Sequence, residues 1–107
     1  MTFGLSQKTI DAINAVFRRC KNVEKVVIYG SRAKGTAKNG SDIDLVLEGT
    51  GLDLALVNRL RTELDDLMLP WSIDLSIMEQ IDNADLVDHI RRVGAVFYSK
   101  SDIGSQT

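Results

Sequence analysis

Asp42 and Asp44 stand one residue apart in the run Ser41-Asp42-Ile43-Asp44-Leu45-Val46-Leu47, whose alternation predicts a β-strand. Side chains alternate across a strand, so both carboxylates share one face while Ile43, Leu45 and Leu47 share the other. Paired carboxylates are hard oxygen ligands suited to Mg²⁺. About a dozen residues upstream lies Gly30-Ser31-Arg32-Ala33-Lys34-Gly35-Thr36, a basic turn after an apolar run. Gly30 carries no Cβ, so backbone can approach a ligand there, and backbone N–H groups with cationic side chains can hold a polyphosphate. Arg32, Lys34 and Lys38 supply the cations, with no acidic residue between Ser31 and Gly40. Phosphate cradle beside metal ligands points to an enzyme that handles nucleotides.

A third carboxylate, Asp74, falls in a second alternating run, Ser72 to Met78, with Ile73, Leu75 and Ile77 on the opposite face. If the two strands are neighbours and both turn their aliphatic face to the helices, Asp42, Asp44 and Asp74 emerge together. Converging carboxylates repel and raise one another's pKa values. One or two Mg²⁺ ions would remove that cost and form the clamp used for in-line displacement at phosphorus. Two rival motifs fail by position. A Walker A loop needs lysine after its second glycine, but Lys34 precedes Gly35. An EF-hand starting at Asp42 needs glycine where Leu47 stands and glutamate where Asp53 stands.

The elements that must position these groups follow from periodicity. Ile10, Ile13, Phe17 and Cys20 recur at helical spacing, with Ser6 as N-cap. Val26 to Tyr29 predicts a buried strand and Asp42 to Glu48 a second. From Asp53 as cap, Leu56, Val57, Leu60, Leu64 and Leu67 mark a long helix that stops before Pro70. Asp82 is expected to cap a last helix, with Ile81 and Leu86 as its hydrophobic staple, and Gly94 to follow as the C′ residue. Ala95 to Tyr98 reads as a final strand, and residues 99–107 as a frayed tail. The order α-β-(α)-β-α-β-α-β predicts one α/β domain over residues 1–107, a mixed sheet of about four strands with flanking helices. One sheet face is expected to be open around the carboxylates.

Composition narrows the classes. The 107 residues, 44% hydrophobic and 26% charged, suit one globular core. A net charge of −2 gives no global attraction to nucleic acid or to an anionic membrane, so phosphate binding must be local. No apolar run is long enough for a membrane span, and the N-terminus lacks a signal peptide's apolar core; the expected address is the cytoplasm. Single Cys20 permits no internal disulfide and is read as a buried small hydrophobe. His89 has no His or Cys at helical spacing, and Trp71 reads as a packing residue at a helix–strand corner.

Gly30-Ser31, ten residues, then Asp42-x-Asp44 resembles the signature of the polymerase-β-like nucleotidyltransferase superfamily. The chain is most similar to its minimal branch, the small stand-alone members paired with a helical HEPN-type protein in toxin–antitoxin systems. The resemblance covers the first helix to about Tyr98, including Leu69-Pro70-Trp71-Ser72-Ile73-Asp74-Leu75. It implies that Asp42, Asp44 and Asp74 are catalytic and coordinate Mg²⁺, two ions being expected and Mn²⁺ an alternative. It also implies that Gly30 and Ser31 hold the triphosphate; a nucleotide contact for Arg32 and Lys34 rests on charge and location alone. The implied reaction moves a nucleoside monophosphate, AMP from ATP, onto a partner hydroxyl with release of pyrophosphate. The four helices and four strands leave nothing over for an acceptor domain, so a hetero-oligomer with the HEPN-type partner is expected. A non-catalytic antitoxin, or transfer to RNA or a small molecule, are the alternatives; the acidic balance disfavours RNA.

Overall fold

The computed structural model describes residues 3–35, 40 and 42–100. Thr36, Lys38, Ser41 and the expected tail from residue 101 onward lie outside the described residues. Helix α1 spans Gln7–Arg18, and its cap is Ser6, whose Oγ accepts from the Thr9 N–H at 3.2 Å. Strand β1, Val23–Tyr29, starts three residues earlier than the apolar run indicates, because Glu24 and Lys25 extend it as a solvent-facing segment. Gly30 then turns the chain into the short helix α2, Ser31–Lys34. Strand β2 is Ile43–Gly49. Helix α3, Leu54–Asp65, is capped by Asp53, whose Oδ1 accepts from the Leu56 N–H at 2.9 Å. Strand β3, Ile73–Ile77, runs into a 3₁₀ turn over Met78–Gln80, then helix α4, Ala84–Val93, and strand β4, Ala95–Ser99.

The four strands form a mixed sheet in the order β3-β2-β1-β4. Strand β1 pairs antiparallel with β2 and with β4, while β2 and β3 run parallel. Alternation sorts the sheet into two faces. Val26, Ile28, Ile43, Leu45, Leu47, Leu75 and Ile77 point to one side, where α1 contributes Ile13 and Phe17 and α3 contributes Val57, Leu60 and Leu64. This is the main core. Burying each such aliphatic or aromatic side chain stabilises by about 1.5–3 kcal/mol relative to leaving it in water.

The other face is not left open throughout, as alternation had suggested. Val27, Tyr29 and Val46 form a smaller apolar cluster with Ile90 of α4, flanked by Met78, Ile81 and Leu86. Helix α4 thus roofs part of the carboxylate face. Its cap is Asn83, not Asp82: Asn83 Oδ1 accepts from the Leu86 N–H at 3.1 Å. Gly94 ends α4 with φ −68°, so it is not a left-handed C′ residue. It is glycine because a Cβ there would run into the Ile90 carbonyl oxygen and lie 2.6 Å from Val27 Cγ1, where the helix end meets the sheet. Ser99, expected in the tail, closes β4, and the Lys100 ammonium donates to the Lys21 carbonyl at 3.0 Å.

Candidate active site

The parallel pairing of β2 with β3 sets the site's central geometry. Asp44 and Asp74 are direct partners across that pair, each the second residue of its strand. Parallel neighbours lie about 4.8 Å apart and project equivalent side chains side by side. On its other flank Asp44 pairs with Tyr29, so one row runs Tyr29, Asp44, Asp74 across three strands. Asp42 lies two residues before Asp44, exposed, just ahead of β2. The three expected carboxylates therefore gather at the end of the sheet where β2 and β3 begin.

Their proximity is felt at the middle group. The Asp44 carboxyl is held above the usual carboxylate range, first by burial, then by the charge of Asp74, then by that of Asp42. Tyr29, 9% exposed, has its hydroxyl pushed above the usual phenol value by burial and by Asp44 and Asp74, against a hydrogen bond shared with the Ser76 side chain. Tyr29 thus belongs to the cluster under α4 through its ring and meets the carboxylate row and Ser76 through its hydroxyl. Alternation placed Ser76 on this face, but one strand's pattern cannot show which residue reaches it from two strands away.

The turn after β1 abuts the same carboxylate. Gly30 has φ 77° and ψ −155°, a region open essentially to glycine. A Cβ at Gly30 would lie 2.8 Å from Asp44 Oδ2. The turn and the central carboxylate are in contact, which gives physical meaning to glycine followed by Asp-x-Asp. Ser31 opens α2 half-buried; Lys34 is exposed in its last turn, ahead of left-handed Gly35.

A divalent cation fits this donor set: two aspartates side by side on adjacent strands, a third two residues away, all oxygen ligands, with the charge of one disfavoured by burial and then by its neighbours. Among the described residues, no three His, Cys, Asp or Glu side chains form a ready-made cage for a metal ion.

Residues 11–103 match the family model described as Polymerase beta, Nucleotidyltransferase. The chain belongs to that nucleotidyltransferase family. Such nucleotidyltransferases generally use divalent metals. Over 73 residues the chain is 36% identical to the probable protein adenylyltransferase MntA of Haemophilus influenzae, a match covering 67% of this chain. The matched part spans 63% of that relative's length. A chain from the crystal structure of a toxin–antitoxin with AMP-PNP superposes with TM-score 0.70 at 20% identity, covering 87% of this chain and 76% of that one. One from a tri-AMPylated Shewanella oneidensis HEPN toxin in complex with an MNT antitoxin gives 0.67 at 15% identity, covering 95% and 79%. At those identities the two structures establish the nucleotidyltransferase fold.

Within that fold Arg32 departs from the expected place of a phosphate ligand. Its side chain is 3% exposed, Nη1 donates to the Phe3 carbonyl at 2.9 Å, and its guanidinium sits 5.3 Å from the Trp71 ring centroid. Charge and location alone could not show that the cation turns inward. Cys20 is buried and unpaired, as expected, and His89 is half-buried on α4. Among the described residues no helix is long and apolar enough to cross a membrane.

Proposed function

We propose that this chain is a single-domain, Mg²⁺-dependent nucleotidyltransferase that moves AMP from ATP onto a side-chain hydroxyl of a helical HEPN-type partner, releasing pyrophosphate. In this reading it acts in the cytoplasm as the antitoxin of a two-component pair, within a hetero-oligomer. The observation that carries the chemistry is the adjacency of Asp44 and Asp74 as strand partners directly beside the Gly30 turn. Support for donor and acceptor comes from relatives: one is called a protein adenylyltransferase, another structure holds AMP-PNP, and a third contains an AMPylated HEPN toxin.

Asp42, Asp44 and Asp74 would hold the cations, two in this reading. Bound there, Mg²⁺ supplies charge neutralisation on the phosphates and lowers the acceptor hydroxyl's pKa. The chain's residues do the rest by position. Gly30 lets the triphosphate approach the backbone, Ser31 offers its N–H and hydroxyl, and Lys34 adds a solvent-side cation. Asp74, exposed at the rim, would take the acceptor's proton as the acceptor oxygen bonds to the α-phosphorus and the bond to pyrophosphate breaks. Positioning and charge compensation account for most of the rate.

The test is incubation of the purified chain with Mg²⁺, α-labelled ATP and the helical protein encoded beside it. Label should appear on that protein. No label with any of the four nucleoside triphosphates would discard the reading. If the Asp42→Asn, Asp44→Asn double variant still neutralises the partner, binding rather than transfer is the antitoxin mechanism.

A further inference from the structure

Among the described residues Arg32 is the one buried charged side chain, and a charge taken out of water must be compensated where it sits. Three stretches of chain converge on its guanidinium. Its own helix α2 follows Gly30-Ser31 directly. The N-terminal turn supplies the Phe3 carbonyl, and Gly4 packs so closely that a Cβ there would lie 3.1 Å from Nη1. The third stretch supplies the Trp71 ring, three residues before Asp74. That third stretch is itself fastened to β2, because the Ile43 N–H donates to the Ser72 carbonyl at 2.9 Å. Ile43 lies between Asp42 and Asp44. The guanidinium is therefore a joint between the Gly30-Ser31 turn and the strand starts that carry the carboxylates.

We propose that Arg32 is a positioning residue, whose clamp between the Phe3 carbonyl and the Trp71 ring fixes the Gly30-Ser31 turn relative to the three aspartates and so sets affinity for the triphosphate. It touches no substrate; it acts through the turn. The proposal rests on the nucleotidyltransferase reading above and names the device that aligns its two halves. Arginine suits the task because a planar guanidinium stacks on an indole while its edge still donates in-plane to a carbonyl. Lysine, a compact point charge, cannot do both.

The experiment uses the full chain and two probes: inorganic tripolyphosphate with Mg²⁺, followed by calorimetry, and Mn²⁺ alone, followed by its electron paramagnetic resonance signal. Arg32→Met and Trp71→Leu should each weaken tripolyphosphate binding by about tenfold to a hundredfold, in line with the sensitivity of aligned sites to displacements near an ångström. Mn²⁺ affinity should hold within about twofold, since the sheet sets the carboxylates, and Trp71→Phe should restore most tripolyphosphate affinity because it keeps a ring face. The double variant should be no worse than the weaker single one, the sign of a shared contact. Should Arg32→Met fail to fold, Arg32→Lys and Trp71→Leu carry the same comparison. Unchanged tripolyphosphate affinity in these variants overturns the proposal, as does a parallel loss of Mn²⁺ and tripolyphosphate, which marks a general structural role. If the wild-type chain binds neither ATP nor tripolyphosphate, the functional reading falls and this proposal with it; wild-type binding with indifferent variants removes the proposal alone.

Discussion

Gly30→Ala places one methyl group where the turn meets the central carboxylate. Two costs follow. At φ 77° and ψ −155° a side chain is strained by about 1–3 kcal/mol whatever space surrounds it. The new Cβ would also stand 2.8 Å from Asp44 Oδ2, whereas ordinary contact begins at 3.4 Å. Backbone on both strands is fixed by the β1–β2 ladder, so the Asp44 carboxylate is the part that yields. A shift of more than half an ångström in a group proposed to hold metal is expected to slow transfer by about a hundredfold. The strain should lower the melting temperature by roughly 5–15 °C for a domain this size. Gly35→Ala is the matched control: φ is 78°, yet nothing lies within 4 Å of the added Cβ. It carries a strain of about 1–2 kcal/mol without touching the carboxylates. The assay compares label transfer from α-labelled ATP at a temperature where all three proteins are folded by circular dichroism. If Gly30→Ala loses stability yet transfers label as fast as Gly35→Ala, contact between turn and carboxylate does not matter to the chemistry and the reasoning is wrong.

Asp44→Asn should abolish transfer yet melt higher than wild type at neutral pH. The folded chain holds the Asp44 proton to higher pH than the unfolded chain does, so stability falls as pH rises through the raised folded value. The advantage of Asp44→Asn should accordingly vanish in acid, below the unfolded carboxylate value, and Mg²⁺ should raise the melting point of wild type alone. An Asp44→Asn melt lower than wild type at neutral pH would show that the carboxylates are not in conflict. Tyr29→Phe keeps the ring but loses the hydrogen bond to Ser76, and should cost about 1 kcal/mol in a urea titration. Leu60→Ala, at a side chain 0% exposed under the main core, should cost about 2–5 kcal/mol in the same titration, with transfer per folded molecule unchanged.

Much of this arrangement was legible in the chain because period-two alternation leaves so little freedom. Once Ile43, Leu45 and Leu47 face helices, Asp44 must face away, and the same holds for Leu75, Ile77 and Asp74. Direct pairing of Asp44 with Asp74 needed one further fact, the parallel neighbourhood of β2 and β3, which the connecting helix α3 makes natural. Less legible were features set by long-range packing. The stripe of α4 showed that the helix is amphipathic but not which sheet face it covers. Asp82 and Asn83 are both good caps, and the structure uses the second. Gly94 looked like a helix stop, but its reason is the room taken by the Ile90 carbonyl and by Val27 of the sheet. Arg32 misled most, because a cation beside a glycine turn reads as a ligand until its burial against Trp71 and the Phe3 carbonyl is visible.

Strand β3 is five residues long and lies at the border of the sheet, hydrogen-bonded to β2 on one side, with Asp74 at its second position. Border strands open at lower free energy than central ones, and such openings need not involve the rest of the molecule. One of the three acids thus rides on a border ribbon, while Asp44 is secured between two neighbours. Warming or mild denaturant should silence the protein before its helices melt, with backbone amides of residues 73–77 exchanging first among the strands that carry the acids. A partner gripping that border would then do more than present its hydroxyl: it would hold the machinery shut.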